Sequence, residues 1–82
     1  MLVASRVVVY VAENCTLCEE AIRVMGEARA ELEFELDVVD IDGDDLLERR
    51  YRALLPVVEI DGREAFVFEV DPDALREWLA GG

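Results

Sequence analysis

Residues 6–11 read Arg-Val-Val-Val-Tyr-Val, an almost unbroken run of β-branched and aromatic side chains. Such a run is typical of a strand covered on both faces, because a strand with one face in water alternates apolar and polar residues. Strands of this kind lie inside a sheet and not at its edge. The run therefore predicts a central strand in a layered α/β domain.

A helix is predicted directly after this strand, where the hydrophobic period changes. Asn14 is a good N-cap residue, and the helix is expected to run from Cys15 to about Ala30. Residues 33–38 then alternate strictly, which predicts a second strand with one apolar face. A strand, a helix and a strand joined by short links predict a parallel βαβ unit. The predicted buried positions of the helix and of the second strand are Leu17, Ala21, Val24 and Ala28 in one stripe, Cys18, Ile22 and Met25 in the next, and Phe34, Leu36 and Val38.

The second half of the chain predicts a short helix, a hairpin and a last helix. The acidic turn at residues 40–45 supplies an N-cap for the short helix, which must end before Pro56. Asp61-Gly62 predicts a two-residue hairpin between residues 57–60 and 64–68, because both central positions of a type I′ turn favour positive φ. Asp71 and Pro72 predict the N-cap and first residue of the last helix. The predicted order is β-α-β-α-β-β-α, in one domain spanning residues 1–82.

The charge and residue types of the chain restrict its partners and its chemistry. Twenty Asp and Glu face eight Arg, with no Lys and no His, for a net charge of −12. Such a chain repels phosphate, so we expect no nucleic-acid partner and no anionic membrane partner. The carboxylates are scattered, which favours solubility over steering of a partner as their main role. Without His, Ser-His and Cys-His nucleophile pairs and His metal ligands are excluded.

The expected location is the cytoplasm. No apolar run approaches the roughly 20 residues that a membrane-spanning helix needs. The first six residues, Met-Leu-Val-Ala-Ser-Arg, lack the charged start, long apolar stretch and cleavage site of a signal peptide.

The chemistry is predicted at Cys15-Thr16-Leu17-Cys18, because a C-x-x-C in a βαβ context is the signature of a thiol redox site. In the first turn of the helix, unpaired N–H groups and the positive end of the helix dipole favour the Cys15 thiolate over the thiol. Cys18 lies on the same face, within reach of a disulfide, and is predicted to be more buried. We therefore predict Cys15 as the nucleophile and Cys18 as the resolving cysteine.

Two other interpretations of the cysteines are kept. They can be small buried hydrophobic residues. They can also be half of a zinc or iron–sulfur site shared with a second chain or an outside thiol, since structural zinc takes four Cys or His ligands and this chain has two cysteines. A non-catalytic adaptor that keeps the fold and binds peptides is a further alternative to an enzyme.

Pro56 is the second element of the predicted site. A proline at this point can be an ordinary helix stop. Together with the C-x-x-C upstream and the hairpin downstream, it predicts a cis bond between Leu55 and Pro56, because cis peptide bonds are essentially confined to X–Pro. This turn would present the Leu55 backbone to a target peptide as a strand-like edge. Asn14, Thr16 and Leu17 are predicted to contact the same substrate.

Four segments carry a resemblance to a known family: residues 15–21 (Cys-Thr-Leu-Cys-Glu-Glu-Ala), 39–42 (Val-Asp-Ile-Asp), 55–58 (Leu-Pro-Val-Val) and 60–62 (Ile-Asp-Gly). In this order they resemble the glutaredoxin-like branch of the thioredoxin superfamily, in particular its short bacterial members. The resemblance implies a thioredoxin-like α/β fold, with a four-stranded mixed sheet flanked by helices and the dithiol facing a cis-proline. It also implies thiol–disulfide exchange with proteins or glutathione.

The chain differs from glutaredoxins where they bind glutathione. Thr16-Leu17 stands where they have a proline, Glu13 and its neighbours supply no cation before the first cysteine, and residues 67–71 lack the usual Gly-Gly turn. We therefore expect no cofactor beyond the redox-active disulfide and no metal, with glutathione a weak candidate. The expected partners of this monomer are a protein disulfide as substrate and, as electron donor, a reductase or a low-molecular-weight thiol.

Overall fold

Strands and helices follow one another in the predicted order β-α-β-α-β-β-α within residues 5–81, which the computed structural model describes. The first half comprises β1 (Ser5–Val11), α1 (Thr16–Arg29) and β2 (Phe34–Asp40). The second half comprises α2 (Asp45–Tyr51) with a 3₁₀ turn (Arg52–Leu54), β3 (Val57–Ile60), β4 (Arg63–Val67) and α3 (Pro72–Gly81). No helix within residues 5–81 is long and apolar enough to cross a membrane.

The sheet has four strands in the order β2-β1-β3-β4, so the apolar run of residues 6–11 does form a central strand. β1 and β2 are parallel, as predicted for a βαβ unit, and β1–β3 and β3–β4 are antiparallel. The fold is therefore a mixed four-stranded sheet flanked by helices. Tyr10 of β1 pairs with Val57 of β3. This register brings the residues after β1 and the residues before β3 to the same end of the sheet.

One face of the sheet carries the larger core, which α1 and α3 cover. Met25 and Leu75 are fully buried there, against Val7 and Val9 of β1. The other face carries a smaller cluster under α2, built on Ile41, Tyr51 and Val57. The half-buried state of Tyr10 on this second face shows that α2 covers it less completely than α1 and α3 cover the first.

Several local predictions of the second half are confirmed. Asp44 caps α2 by accepting hydrogen bonds from the amides of residues 46 and 47, both at 3.1 Å. The hairpin residues Asp61 and Gly62 have φ of 50° and 82°. Asp71 accepts a hydrogen bond from the amide of Asp73 at 2.9 Å, and α3 begins at Pro72.

Four apolar residues are not placed as the sequence pattern predicts. Ile22 is 40% exposed because it lies at the border of the buried stripe of α1, and Val38 is 47% exposed on an edge strand. Leu17 is 47% exposed because it faces a cavity between α1 and the segment after β4, whereas Cys18 in the same helical turn faces the core. β4 ends at Val67, and Phe68 leaves the strand with a left-handed φ of 69°.

Candidate active site

Cys15, and not Asn14, is the N-cap of α1. Asn14 has a left-handed φ of 56°, whereas an N-cap residue has an extended backbone. Cys15 has that extended backbone, with φ of −114° and ψ of 101°, and its Sγ accepts a hydrogen bond from the amide of Cys18 at 3.2 Å. The prediction of Asn14 as the cap is wrong by one residue. As a consequence, the sulfur itself receives an amide donor at the helix terminus.

Cys15 and Cys18 form a disulfide whose Cα atoms are 5.2 Å apart. This separation lies within the usual range for disulfides. Cys18 is 2% exposed, while Cys15 is half-buried. An outside thiol or disulfide can therefore reach Cys15 and not Cys18.

Asp42 forms hydrogen bonds both to the turn before the disulfide and to the segment before Pro56. Its Oδ2 accepts a hydrogen bond from the amide of Glu13 at 2.8 Å, and its Oδ1 accepts one from Nη2 of Arg52 at 2.7 Å. The Glu13 amide first, and the Arg52 guanidinium second, hold the pKa of Asp42 below its usual value. Sequence reasoning placed Asp42 in an acidic turn and in a segment that resembles the family, but predicted no contact for it, although the predicted parallel pairing of β1 and β2 implied that residues 12–14 and 41–43 are neighbours.

The peptide bond between Leu55 and Pro56 is cis. The Pro56 side chain is fully buried, and Leu55 is half-buried with an extended backbone, φ −61° and ψ 142°. The pairing of β1 with β3 places this segment at the end of the sheet that carries the turn of Cys15. The carbonyl of Pro56 accepts a hydrogen bond from the amide of Phe68 at 3.0 Å.

The predicted contact residues are placed around this end of the sheet. Asn14, Thr16 and Leu17 are exposed in the turn before α1 and in its first turn. Leu55 lies two residues before the start of β3. Sequence reasoning missed Phe68, because it assigned that residue to β4. Within the described part of the chain, no group of three or more His, Cys, Asp or Glu side chains is arranged to hold a metal ion.

Residues 6–80 match the family model described as Glutaredoxin-like domain (DUF836). The chain belongs to this family. An uncharacterized Mycobacterium tuberculosis protein, Rv0508, is 33% identical over 72 residues, covering 82% of this chain and 74% of that protein.

Solved structures similar to this chain differ in their sequence identity to it. Protein Ne2328 from Nitrosomonas europaea has a TM-score of 0.81 at 32% identity and covers 96% of this chain and 95% of its own. A protein from X. campestris has a TM-score of 0.75 at 32% identity, covering 93% and 97%. A mutant thioredoxin from Halobacterium salinarum, with a TM-score of 0.70 at 18% identity over 94% of this chain and 73% of its own, shows the shared thioredoxin fold alone. This glutaredoxin-like protein thus combines a thioredoxin-like fold with a C-x-x-C pair at disulfide distance, which supports a redox-type function.

Proposed function

We propose that this glutaredoxin-like protein is a thiol–disulfide oxidoreductase that reduces or exchanges protein disulfides through Cys15 and Cys18. The observation that carries the proposal is the asymmetry of the pair. Cys15 is half-exposed at the N-cap of α1, with its sulfur bonded to the Cys18 amide, whereas Cys18 is buried. Amide donors and the positive end of the helix dipole favour the thiolate, which is the attacking species in exchange.

Reduction of a target proceeds in two exchanges. The Cys15 thiolate attacks one sulfur of the target disulfide, a mixed disulfide forms, and the other target sulfur leaves as a thiolate that takes up a proton. Cys18 then loses its proton and attacks Sγ of Cys15, which releases the second target sulfur as a thiolate. Two electrons pass to the target, and the protein is left with the Cys15–Cys18 disulfide.

Substrate contacts are proposed for the residues that surround Cys15. The extended backbone at Leu55, next to Pro56, offers a target segment a short strand-like edge. Asn14, Thr16 and Leu17 are exposed beside Cys15 and can contact the residues on either side of the target cysteine.

An outside reductant must restore the dithiol. We propose a reductase or a low-molecular-weight thiol for this step, in a monomeric cytoplasmic protein, since that compartment keeps thiols reduced. Glutathione is disfavoured as donor because it is anionic and this chain has a net charge of −12.

The first test is a redox titration. The purified protein is equilibrated at graded thiol–disulfide potentials, and free thiols are counted by the mass shift on alkylation. A single two-electron transition between two free and no free thiols is expected. A midpoint near about −270 mV would indicate a reductant, and one near about −180 mV a disulfide donor or isomerase. If the cysteines stay reduced throughout, or bridge only between chains, the proposal is overturned.

Two single-cysteine variants separate the roles of the sulfurs. Cys18→Ser is expected to accumulate a mixed disulfide on Cys15 with a protein substrate, because the resolving thiol is absent. Cys15→Ser is expected to form none, because the remaining thiol is buried. Equal trapping by both variants would contradict the assigned roles.

A further inference from the structure

A cavity of about 200 Å³ lies between α1 and the segment that joins β4 to α3. Its apolar wall includes Leu17, Phe68 and Val70, and its charged residues are Glu20, Arg23 and Glu69. The predicted site did not include it, apart from Leu17.

The cavity adjoins both elements of the candidate active site. Leu17 stands between the two cysteines and is 47% exposed. Phe68, which is 46% exposed, donates its amide hydrogen to the carbonyls of Pro56 at 3.0 Å and Leu54 at 3.3 Å. Two large apolar side chains that line the cavity are thus exposed, one within the C-x-x-C segment and the other on a residue bonded to the Pro56 segment.

Phe68 occupies this place at a cost in backbone energy. Its φ of 69° is left-handed, a conformation that bulky residues seldom adopt. Residues held in such conformations cluster at functional sites, where surrounding hydrogen bonds maintain them. Here the two hydrogen bonds to the Leu54–Pro56 segment maintain the conformation, and the aromatic ring is left half in water.

The size and wall of the cavity select the kind of ligand. Sites for small molecules begin at about 300 Å³, so a cavity of about 200 Å³ is small for a cofactor. It is suited to one or two side chains of a protein segment. The apolar wall favours an aliphatic or aromatic side chain, because its burial removes apolar surface from water on both partners.

The charges at the cavity indicate which residues should flank that side chain in the bound segment. The guanidinium of Arg23 forms ion pairs with both Glu20 and Glu27, so its single positive charge is more than compensated by two carboxylates. Glu69 adds a further carboxylate to the cavity lining. The rim is therefore negative on balance, in a chain of net charge −12. Such a rim attracts Lys or Arg and repels an anionic disulfide.

We propose that this cavity is a substrate-recognition site for a protein segment that has an apolar side chain and a Lys or Arg next to its disulfide-bonded cysteine. The inference rests on the proposed exchange reaction and names the substrate class of the same site. When the Cys15 thiolate attacks such a segment, the apolar side chain enters the cavity between Leu17 and Phe68. The cation lies at the rim beside Glu69.

The test compares defined disulfides with the reduced protein. Four synthetic peptide disulfides differ only beside the cysteine: Leu-Arg, Leu-Glu, Ala-Arg and Ala-Glu. Hydroxyethyl disulfide, which is neutral and too small to span the cavity, is the reference for the chemistry itself. The Leu-Arg peptide is expected to react about tenfold faster than the Leu-Glu peptide at low ionic strength, and the ratio is expected to fall towards one at high salt. The Ala peptides are expected to react more slowly than their Leu counterparts.

Variants then locate the effect at the cavity. Glu69→Gln is expected to reduce the preference for Arg, and Phe68→Gly, which tolerates the left-handed backbone, is expected to reduce the preference for Leu. Each peptide rate is divided by the rate of the same variant with hydroxyethyl disulfide, so that a general change in reactivity does not count as a change in preference. Glu33→Gln is the matched control, because Glu33 is exposed at the opposite end of the sheet, between α1 and β2.

The outcomes distinguish the two proposals. If the protein reduces neither hydroxyethyl disulfide nor any peptide, the proposed function itself fails. If it reduces all four peptides at equal rates, or the Glu peptides faster, the exchange function stands and the recognition site is refuted. A Glu69→Gln effect no larger than that of Glu33→Gln also refutes the site, since it would show a general effect of net charge.

Discussion

Breaking the Cys15–Cys18 bond is expected to lower the stability of the fold by a small amount that can be worked out from the structure. The bridge closes a loop of four residues, with a sequence separation of 3. In the chain-entropy model, a loop of this length stabilises the folded state by about 1.9 kcal/mol at 25 °C. Reduction gives part of this back, because a Cys15 thiolate at the N-cap of α1 gains about 0.5–1 kcal/mol from the helix terminus. In mild alkali, where the Cys15 thiol is ionised, the oxidised form is therefore expected to be the more stable by about 1 kcal/mol.

The same difference in stability sets the reduction potential of the folded protein relative to that of the unfolded chain. Unfolding and reduction form a closed thermodynamic cycle, so a folded state that favours the disulfide makes the folded dithiol a stronger reductant than the unfolded one. At about 30 mV for each 1.4 kcal/mol, the expected shift in mild alkali is about 20 mV towards negative potential.

Urea unfolding of the two forms measures this difference. Trp78 is the single tryptophan of the chain and is half-buried, so its fluorescence reports unfolding. If the helix terminus favours the thiolate, that contribution is present above the ionisation range of an unfolded cysteine, about pH 8.5, and is lost as the pH falls. The stability gap between the oxidised and reduced forms is therefore expected to be about 1.9 kcal/mol in mild acid and about 1 kcal/mol in mild alkali.

Two results would refute the reasoning. A gap that does not change with pH would show that the helix terminus gives the Cys15 thiolate no advantage. A reduced form more stable than the oxidised form would reverse the sign of the cycle, and the protein would then be expected to donate disulfides.

Three further predictions concern packing, a buried hydroxyl and the active-site turn. Leu75→Ala, at a fully buried position, is expected to cost about 3 kcal/mol in urea unfolding, and a loss below about 1 kcal/mol would contradict its place in the core. Tyr51→Phe removes the 2.9 Å hydrogen bond to Glu59 and is expected to cost about 1.5 kcal/mol. Since burial, and then that bond, raise the pKa of Tyr51, wild-type stability is expected to hold up to about pH 10 and to fall above it, less steeply in the variant. Asp42→Ala is expected to speed hydrogen exchange of the Glu13 amide several-fold, and an unchanged exchange rate would contradict the contact. Because the pKa of Asp42 is lowered, the wild-type amide is expected to lose its protection only as the pH falls below about 4.

The local predictions that hold are those for which neighbours in the sequence supply the physical cause. Residues 6–11 form an extended strand because their β-branched and aromatic side chains favour that backbone. Asp61-Gly62 forms the turn because both residues tolerate positive φ. Asp44 caps α2 because its carboxylate reaches amides two and three residues away. The extended backbone, the turn and the cap each arise from residues close together in the chain.

The predictions that fail concern positions where the periodicity of the sequence does not show which other parts of the fold lie next to the residue. Leu17 has helical spacing with the buried residues of α1, but it faces the cavity next to the segment after β4 and not a packed layer. Phe68 continues the apolar pattern of β4, yet its amide bonds with the Pro56 carbonyl and turns the chain out of the strand. Asn14 is a preferred cap residue by type and Cys15 is not, but the backbone of the turn makes Cys15 the cap.

The order of the elements, the C-x-x-C at the start of a helix and the proline before the third strand were determined by the sequence itself, because periodicity, capping and turn preferences act within a few residues. Only the tertiary structure decided that Asp42 holds the turn before Cys15 and that Phe68 joins the Pro56 segment to a cavity beside Leu17. These contacts join residues that are far apart in the chain. They exist because the parallel pairing of β1 with β2 and the antiparallel pairing of β3 with β4 bring separate segments together at one end of the sheet, and strand register is set by packing across the whole sheet.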